Sequence, residues 1–245
     1  MKEKAIWIAA VVIILGLAMS ESYAASISLI ATDDTYVSTG YAGDQKWAME
    51  LRSSFGTNGN TAQYYYIYMK FDLGAIPDNS VVTGASLNIK LLETYDTVYY
   101  SQYEDYLYHI SNDNWDEGTV VWDTRPAVDL TAGYLEKTMI PYTPTQGAGY
   151  LTVWDLMDAD PNETIWNYGA DLLDDNLSLA IVPQHFNPPY PNGQLVSVYE
   201  SVNNTWVPGT PYLSITYQAV PIPGSWLLLG SGLVGLIGWA RRHAA

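Results

Sequence analysis

Residues 65–73 read YYIYMKFDL, and their side chains alternate between two kinds. One series is mainly apolar and consists of Tyr65, Ile67, Met69, Phe71 and Leu73. The other series is aromatic or charged and consists of Tyr66, Tyr68, Lys70 and Asp72. Because successive side chains of a β-strand point to opposite faces of the sheet, this period of two predicts a half-buried strand.

Strand signals recur along the rest of the chain. Further strands are predicted at residues 86–91, 177–182 and 212–217. Turns rich in Gly, Pro and Asn lie between them, such as IPDN at residues 76–79 and PGTP at residues 208–211. Only residues 150–174 could hold a short helix, which Pro161 would break. Many short strands between such turns predict one all-β domain over residues 25–219, a jelly-roll β-sandwich.

The composition excludes one class of partner. The 245 residues include 26 Asp or Glu but only 10 Lys or Arg, for a formal net charge of −16. Nucleic-acid binding depends on clustered Lys and Arg that neutralise phosphates, so we expect no nucleic-acid partner. A domain of this size can bury a full core without disulfides. The absence of cysteine therefore does not argue for the cytoplasm.

Residues 1–24 have the three parts of a secretory signal peptide. Lys2 and Lys4 precede an apolar run over residues 5–19, and small residues stand at the −3 and −1 positions of a cleavage site that ends at Ala24. The alternative is an uncleaved membrane anchor, which needs about 20 apolar residues, more than this run contains. We therefore predict a signal helix that is removed after Ala24 on export.

Residues 220–245 also have three parts: the tetrapeptide VPIP, an apolar run over residues 225–240, and two arginines that would stay on the cytoplasmic side of a transmembrane helix. In this order the segment resembles the PEP-CTERM sorting signals of Gram-negative bacteria, although Ile222 stands where their motif has Glu. The resemblance implies cleavage by an exosortase at the inner membrane. A plain tail anchor is the alternative. The residues assigned to processing at the two ends are Ala24, Val220, Pro221, Pro223, Arg241 and Arg242.

Four motifs follow one another in the middle of the chain. They are ATDDTYV at residues 31–37, YMKFDL at 68–73, VTGASL at 82–87 and NWDEGTVVW at 114–122. In this order the chain resembles the DNRLRE domains over nearly all of residues 25–219, with a less clear pattern over residues 42–60. These jelly-roll modules accompany polysaccharide-degrading enzymes or occur on secreted surface proteins, and some bind acidic polysaccharides such as alginate. The resemblance implies a module that binds polysaccharide or belongs to a matrix and has no reaction of its own.

A sugar-binding surface needs flat aromatic side chains with a few polar ones beside them. Tyr64, Tyr66 and Tyr68 lie on the side of the strand opposite the apolar series, so we expect them to face solvent. The full set of candidate glycan-binding residues is Tyr64, Tyr66, Tyr68, Lys70, Tyr99, Tyr100, Tyr103 and Trp47. The alternative is that these tyrosines only stabilise the sheet, because tyrosine is favoured in strands.

Calcium is the cofactor that the sequence favours. Asp33 and Asp34 are candidate ligands for a structural Ca²⁺, which prefers carboxylate and carbonyl oxygens. Jelly-roll sugar-binding modules often carry such an ion near their first and last strands. Residues 158–162 begin like a calcium loop, but Glu163 and Gly169 depart from the EF-hand pattern. The alternative for the aspartate pair is two solvated acids in an acidic chain.

The sequence marks no catalytic group. Cysteine is absent, G-x-S-x-G does not occur, and neither His109 nor His185 has another histidine at the spacing of a metal site. Asp116 and Glu117 could form the carboxylate pair of a glycosidase. They lie in the motif NWDEGTVVW, however, and we expect its two tryptophans in the core. We therefore predict that the protein is not an enzyme.

These inferences together predict an exported, non-enzymatic protein that binds polysaccharide through its β-sandwich. It would be anchored transiently in the inner membrane and then released to the cell surface or the extracellular matrix. A self-assembling structural subunit or adhesin, associating through strand edges and its Tyr-rich face, is the alternative. A polysaccharide-cleaving enzyme is a weaker one. The negative charge argues against tight binding of an acidic polysaccharide unless Ca²⁺ bridges the two.

Overall fold

The computed structural model describes residues 24–40, 50–58, 61–96, 103–131, 133–140, 150–158, 163–183, 194–203 and 211–220. The predicted signal helix and the predicted transmembrane helix both lie outside these ranges. Within them the secondary structure is strand and turn, and no helix is long and apolar enough to cross a membrane.

Eleven strands are described. They are β1 (Ala24–Ile30), β2 (Asp33–Ser38), β3 (Glu50–Asn58), β4 (Thr61–Asp72), β5 (Ser80–Asp96), β6 (Tyr103–Ile110), β7 (Glu136–Ile140), β8 (Tyr150–Asp155), β9 (Asn176–Pro183), β10 (Gln194–Glu200) and β11 (Tyr212–Ala219). Their order in the sheet is β1-β11-β5-β10-β3-β4-β9-β6-β7, with β2 paired to β4 and β8 paired to β5.

The strand that contains the motif YYIYMKFDL, β4, has partners on both edges. Residues 61–65 pair with β3, residues 65–70 with β2, and residues 67–72 with β9, all antiparallel. Ile67 lies opposite Ile181 of β9, which in turn lies opposite Leu107 of β6. This register places the apolar series of three neighbouring strands on one face.

That face is the inner core of the domain. It is built from fully buried side chains of β4, β9 and β6 together with side chains of β5, β8 and β11, which are distant in the strand order. Its members include Ile67, Met69, Phe71, Leu107, Leu179 and Ile181 from the first group and Leu87, Ile89, Trp154, Leu213 and Ile215 from the second. The ladder therefore turns back on itself as a β-sandwich. The all-β prediction is confirmed. Ile67, Met69, Phe71 and Leu73 of the apolar series are also confirmed as core, whereas Tyr65 is only half-buried.

The opposite face of β4, β9 and β6 carries a second hydrophobic cluster, here called the outer cluster. Its buried members are Val37, Tyr66, Tyr68, Tyr108, Ile110, Trp115, Val120, Ala180 and Val182. Residues 111–131, here called the cover segment, contain no strand and contribute Trp115 and Val120 to this cluster. Beneath the cover segment, Ala180 of β9 is paired with Tyr68 of β4 on one side and with Tyr108 of β6 on the other. The small Ala180 leaves room between the two rings, and the cover segment packs on this row.

The chain divides into two compact units. The larger comprises residues 26–78 and 82–217 and contains both hydrophobic clusters. The smaller comprises residues 1–25, 79–81 and 218–245. In the described part of the smaller unit, the Asn79 side-chain amide donates a hydrogen bond to the Val220 carbonyl at 3.1 Å.

The expectation of a short helix within residues 150–174 is wrong in its described part. Residues 150–155 form β8, which pairs with β5 and places Leu87 opposite Trp154. Leu151 and Val153 are exposed while Trp154 is fully buried, so the period there is two. Residues 168–175 are turns. The spacing of apolar residues in such a short stretch fits either period, and pairing with β5 decides between them.

Candidate functional site

The three tyrosines predicted to form a solvent-exposed platform differ in burial. Tyr68 has 0% of its surface exposed and Tyr66 has 6%, whereas Tyr64 is half-buried. Burial raises the pKa of Tyr66 to about 12 and also raises the pKa of Tyr68. The prediction that all three side chains face solvent is therefore wrong for Tyr66 and Tyr68.

The cover segment is the physical reason for this correction. Trp115 packs edge-on against Tyr68 with ring centroids 6.0 Å apart, and its indole N–H donates to the Ser178 hydroxyl at 2.9 Å. The Tyr68 hydroxyl donates to the Pro126 carbonyl at 3.0 Å. Each end of the cover segment is thus held to the sheet by a buried hydrogen bond. The prediction that both tryptophans of the motif NWDEGTVVW belong to the core is confirmed for Trp115 and wrong for Trp122, which is only half-buried.

Four aromatic side chains remain half-buried at the margin of this face, and we call them the outer aromatic patch: Tyr64, Tyr106, Trp122 and Tyr134. Tyr64 and Trp122 are stacked, with centroids 6.1 Å apart and an interplanar angle of 23°. Tyr106 and Tyr134 meet edge to face at 4.8 Å. All four pack against the outer cluster, so their rings are fixed while part of each remains accessible.

A cation lies against this patch. The Arg125 guanidinium stands 3.7 Å from the Trp122 ring centroid and 5.8 Å from that of Tyr66, and it donates to the Trp122 carbonyl. The guanidinium is oriented by its contacts with the two rings and by its hydrogen bond to the carbonyl. Arg125 is half-buried, so the patch combines aromatic surface with a fixed hydrogen-bond donor.

A second charged group adjoins the Tyr106 end. The Tyr106 hydroxyl donates to Glu104 at 2.6 Å, and the Lys137 ammonium lies 3.2 Å from the other Glu104 oxygen. The Tyr106 hydrogen bond, with Lys137 adding to it, lowers the pKa of Glu104. Burial together with this carboxylate raises the pKa of Tyr106. Both groups keep their usual charge at neutral pH, so the hydroxyl remains a donor.

Sequence reasoning missed Tyr106, Trp122, Arg125 and Tyr134 as site residues. A signal for one of them was present, since Tyr106 and Tyr108 alternate in β6 as Tyr64, Tyr66 and Tyr68 do in β4. Trp122 and Arg125 lie in a segment without strand periodicity. Their approach to Tyr64 and Tyr66 depends on how the cover segment folds back, which the sequence pattern does not encode.

Lys70 does not belong to the outer aromatic patch. Its ammonium forms an ion pair with Asp33 at 3.3 Å, donates to the Trp115 carbonyl at 2.5 Å and lies 4.8 Å from the Trp115 ring centroid. Asp33 is directly opposite Lys70 across β2 and β4. These contacts tie Lys70 to β2 and the cover segment.

Asp34 is 1% exposed and is held by two donors. The Ser201 hydroxyl lies 2.9 Å and the Val202 backbone N–H 2.7 Å from its carboxylate oxygens, and the Asp34 N–H donates to Glu117 at 3.2 Å. Burial raises the pKa of Asp34 to about 6, although its two hydrogen bonds oppose this. Calcium at Asp33 and Asp34 stays a prediction. Thermal unfolding that is unchanged by EDTA would count against it.

Three carboxylates outside the predicted set lie close together. Oxygens of Asp113, Asp171 and Asp174 are all within 4.8 Å of one another. Asp171 is buried, with one oxygen 3.0 Å from His109 Nε2 and the other accepting from the Trp166 indole N–H at 2.5 Å. Exposed acids often converge in acidic proteins, so proximity alone assigns no metal here.

A cleft of about 190 Å³ lies beside this cluster, with Asp129, Gly133 and Leu135 on one side and residues 164–167 on the other. We call it the edge cleft, because β7 ends the strand order at this side of the sheet. Its lining consists of Tyr108, His109, Asp129, Gly133, Leu135, Thr164, Ile165, Trp166 and Asn167. None of the candidate residues whose side chains the structure describes lines it.

The remaining predicted site residues lie at or beyond the limits of the description. Trp47, Tyr99 and Tyr100 are outside the described residues, and β6 begins at Tyr103, whose side chain is not described. Ala24 is the first residue of β1 and is exposed, as is Val220. The other processing residues, Pro221, Pro223, Arg241 and Arg242, lie outside the description.

Two comparisons with known proteins bear on the site. Residues 25–142 match carbohydrate-binding module family 96. Over 111 residues the chain is 32% identical to the tRNA3(Ser)-specific nuclease WapA of Bacillus spizizenii, a stretch that is 42% of this chain but only 5% of the nuclease. The chain thus spans a small part of that relative. The family match supports a carbohydrate-binding, jelly-roll-like domain, and residues 25–142 include the whole outer aromatic patch.

Proposed function

We propose that this chain is an exported, non-enzymatic protein that binds polysaccharide on the outer aromatic patch. The observation that carries the proposal is the match of residues 25–142 to carbohydrate-binding module family 96. The four rings of the patch and Arg125 all lie within that stretch. A module that binds without cleaving fits the family description better than a catalytic role does.

The chemistry of the patch supports sugar binding. A pyranose ring presents a face of C–H groups, which packs on the π-face of an aromatic side chain, and a rim of hydroxyls, which need hydrogen-bond partners. The half-buried Tyr64 and Trp122 provide the first, and Arg125 and the Glu104–Lys137 pair provide the second. Since these rings are already packed against the outer cluster, binding would cost little side-chain entropy.

The location of the protein is proposed from its two ends. The signal-peptide pattern of residues 1–24 supports export, and the sorting-signal pattern of residues 220–245 supports a transient inner-membrane anchor followed by release. We propose the cell surface or the extracellular matrix of a Gram-negative bacterium as the destination. Mass spectrometry of the native protein should then find an N-terminus at Ala25 and no peptide beyond Pro223.

Affinity electrophoresis of the full chain in gels that contain neutral or acidic polysaccharides tests the binding proposal. We expect at least one polysaccharide to retard the wild type and Trp122→Ala to migrate faster in that gel. Loss of a stacked aromatic contact should weaken binding about three- to tenfold. Tyr212→Ala is a matched control, because Tyr212 is a half-buried tyrosine on β11 outside the outer cluster.

Three results would contradict the proposal. If no polysaccharide retards the wild type, the protein does not bind these glycans, and concentration-dependent oligomers would then favour the self-assembling alternative. If Trp122→Ala melts at the wild-type temperature and migrates like wild type in every gel, binding does not use the patch. Release of reducing ends from any polysaccharide would show the weaker, enzymatic alternative.

A further inference from the structure

The edge cleft is a concave, preformed feature that the proposed function does not use. Its two walls are joined by hydrogen bonds from the Thr164 backbone N–H and hydroxyl to the Tyr134 carbonyl, at 2.8 and 3.1 Å. The Trp166 backbone N–H donates a hydrogen bond to the Leu156 carbonyl at 2.9 Å, which fixes the second wall to the end of β8. Walls held in this way need no rearrangement to accept a ligand.

Gly133 shows how closely the walls approach each other. Its φ is +90°, a conformation that favours glycine, and a Cβ atom at this position would lie 2.8 Å from the Thr164 Cγ2 atom. Any other residue here would be strained and would also push Thr164 away. The width of the cleft therefore depends on a glycine.

The lining of the cleft suits a small polyhydroxylated ring. Asn167 and Asp129 provide an amide and a carboxylate on opposite walls, and the half-buried His109 provides an imidazole from β6. Ile165 is 51% exposed and offers an apolar surface at the mouth. Pockets for drug-sized ligands measure roughly 300–1,000 Å³. A cleft of about 190 Å³ is smaller, so it accommodates a single ring and not an oligosaccharide.

The charges around the cleft determine whether it favours neutral or acidic sugar rings. Asp129 lines the cleft, and Asp171 lies 3.0 Å from His109, with Asp113 and Asp174 beside it. Burial lowers the pKa of His109, but the hydrogen bond to Asp171 and the surrounding carboxylates outweigh it and raise that pKa. Even with a positive charge on His109, the four carboxylates leave the region negative. A ring that carries its own carboxylate would be repelled, whereas a neutral hexose would not.

The cleft also adjoins the outer aromatic patch. Gly133 and Leu135 line the cleft, and Tyr134 between them has its ring in the patch against Tyr106. We propose that the edge cleft binds one neutral pyranose ring at the end of a polysaccharide chain, which continues over the outer aromatic patch. This inference rests on the proposed function, because it assigns the chain end of the same ligand.

Titration of the full chain with glucose, galactose and mannose, and separately with glucuronic and galacturonic acid, tests the assignment. Saturation-transfer NMR reports on each free sugar. At least one neutral hexose should bind at millimolar concentration, more tightly than its uronic acid. Asn167→Ala should weaken that binding about three- to tenfold through the loss of one hydrogen bond. Ile165→Ala, at an exposed position, should weaken it too, and Tyr212→Ala, on β11 outside both the cleft and the patch, should leave it unchanged.

The outcomes separate this inference from the proposed function. The inference is overturned if no neutral hexose binds, if a uronic acid binds more tightly, or if both cleft variants bind like wild type. Polysaccharide retardation in the gels would survive each of those results. If the gels show no binding but a hexose still requires Asn167, the cleft is a sugar site and the patch is not.

Discussion

The inner face of β4 packs against strands from the opposite part of the sandwich, whereas its outer face packs against the cover segment, which contains no strand. Phe71 on the inner face and Tyr68 on the outer face are both fully buried. The Phe71 side chain has no polar atom, whereas Tyr68 donates a buried hydrogen bond to the Pro126 carbonyl. Alternation along a strand therefore identifies its two faces, but not whether the second face is covered by other parts of the chain.

Truncation of the inner face should have the largest effect. Phe71→Ala leaves a cavity in the inner core, so we expect a loss of about 3–5 kcal/mol in the free energy of unfolding. Chemical denaturation followed by fluorescence measures it. Leu173→Ala is the control, since 73% of Leu173 is exposed and its truncation should change stability by less than about 0.5 kcal/mol. Equal losses in the two variants would show that Phe71 is not core.

The second prediction concerns the carboxyl on the inner side of β2. Because the pKa of Asp34 rises from 3.8 to about 6 on folding, the folded state favours protonated Asp34. This contribution is present below about pH 4 and is lost as the pH rises through 6. Relative to Asp34→Asn, the wild type should lose about 2 kcal/mol of unfolding free energy between about pH 4 and pH 7. A pH-independent difference between the two proteins would contradict the burial of this carboxyl.

Much of the inner face could be predicted from the sequence, because burial on one side imposes a period of two. The alternation of β4 identified Ile67, Met69 and Phe71 as core, as the structure shows. The polar centre of that core was not predicted. Buried Asp105 accepts hydrogen bonds of 2.6 Å from the Tyr199 and Ser53 hydroxyls. The three residues belong to β6, β10 and β3, which are far apart in the sequence and come together only in the folded protein.

The outer face was predictable only as far as its strands extend. The tyrosines of β4 were correctly placed on the side opposite the core, but the cover segment has no periodicity to reveal that it packs over Tyr66 and Tyr68. The edge cleft depends on the contact between Gly133 and Thr164, which are 31 positions apart in the sequence. Sites built from loop contacts of this kind leave no local pattern to read.

A smaller effect should separate the hydroxyl of Tyr68 from its ring. Tyr68→Phe keeps the packing against Trp115 but leaves the Pro126 carbonyl without its donor, so we expect a loss of about 1 kcal/mol. Tyr65→Phe on the inner side is the matched control. Tyr65 is half-buried, so water can replace its contacts and the loss should be smaller. An equal loss from both would mean that the cover segment is not held by this bond.

The smallest change in stability is expected at the margin of the outer face. Tyr64 is half-buried and stacks on Trp122, so Tyr64→Ala removes little buried surface and should lower the unfolding free energy by less than about 1 kcal/mol. Its effect on binding should be larger in proportion, about three- to tenfold weaker retention by the polysaccharide that retards the wild type. Thermal melts and affinity electrophoresis of the same preparation measure both quantities.

A Tyr64 variant that melts as early as Phe71→Ala would place this ring in the covered part of the face. A variant that melts normally and is retarded like wild type would leave Trp122 and the Tyr106–Tyr134 pair as the binding surface. Lost retention with a normal melt would show that the margin of the face binds glycan while its covered centre supports the fold.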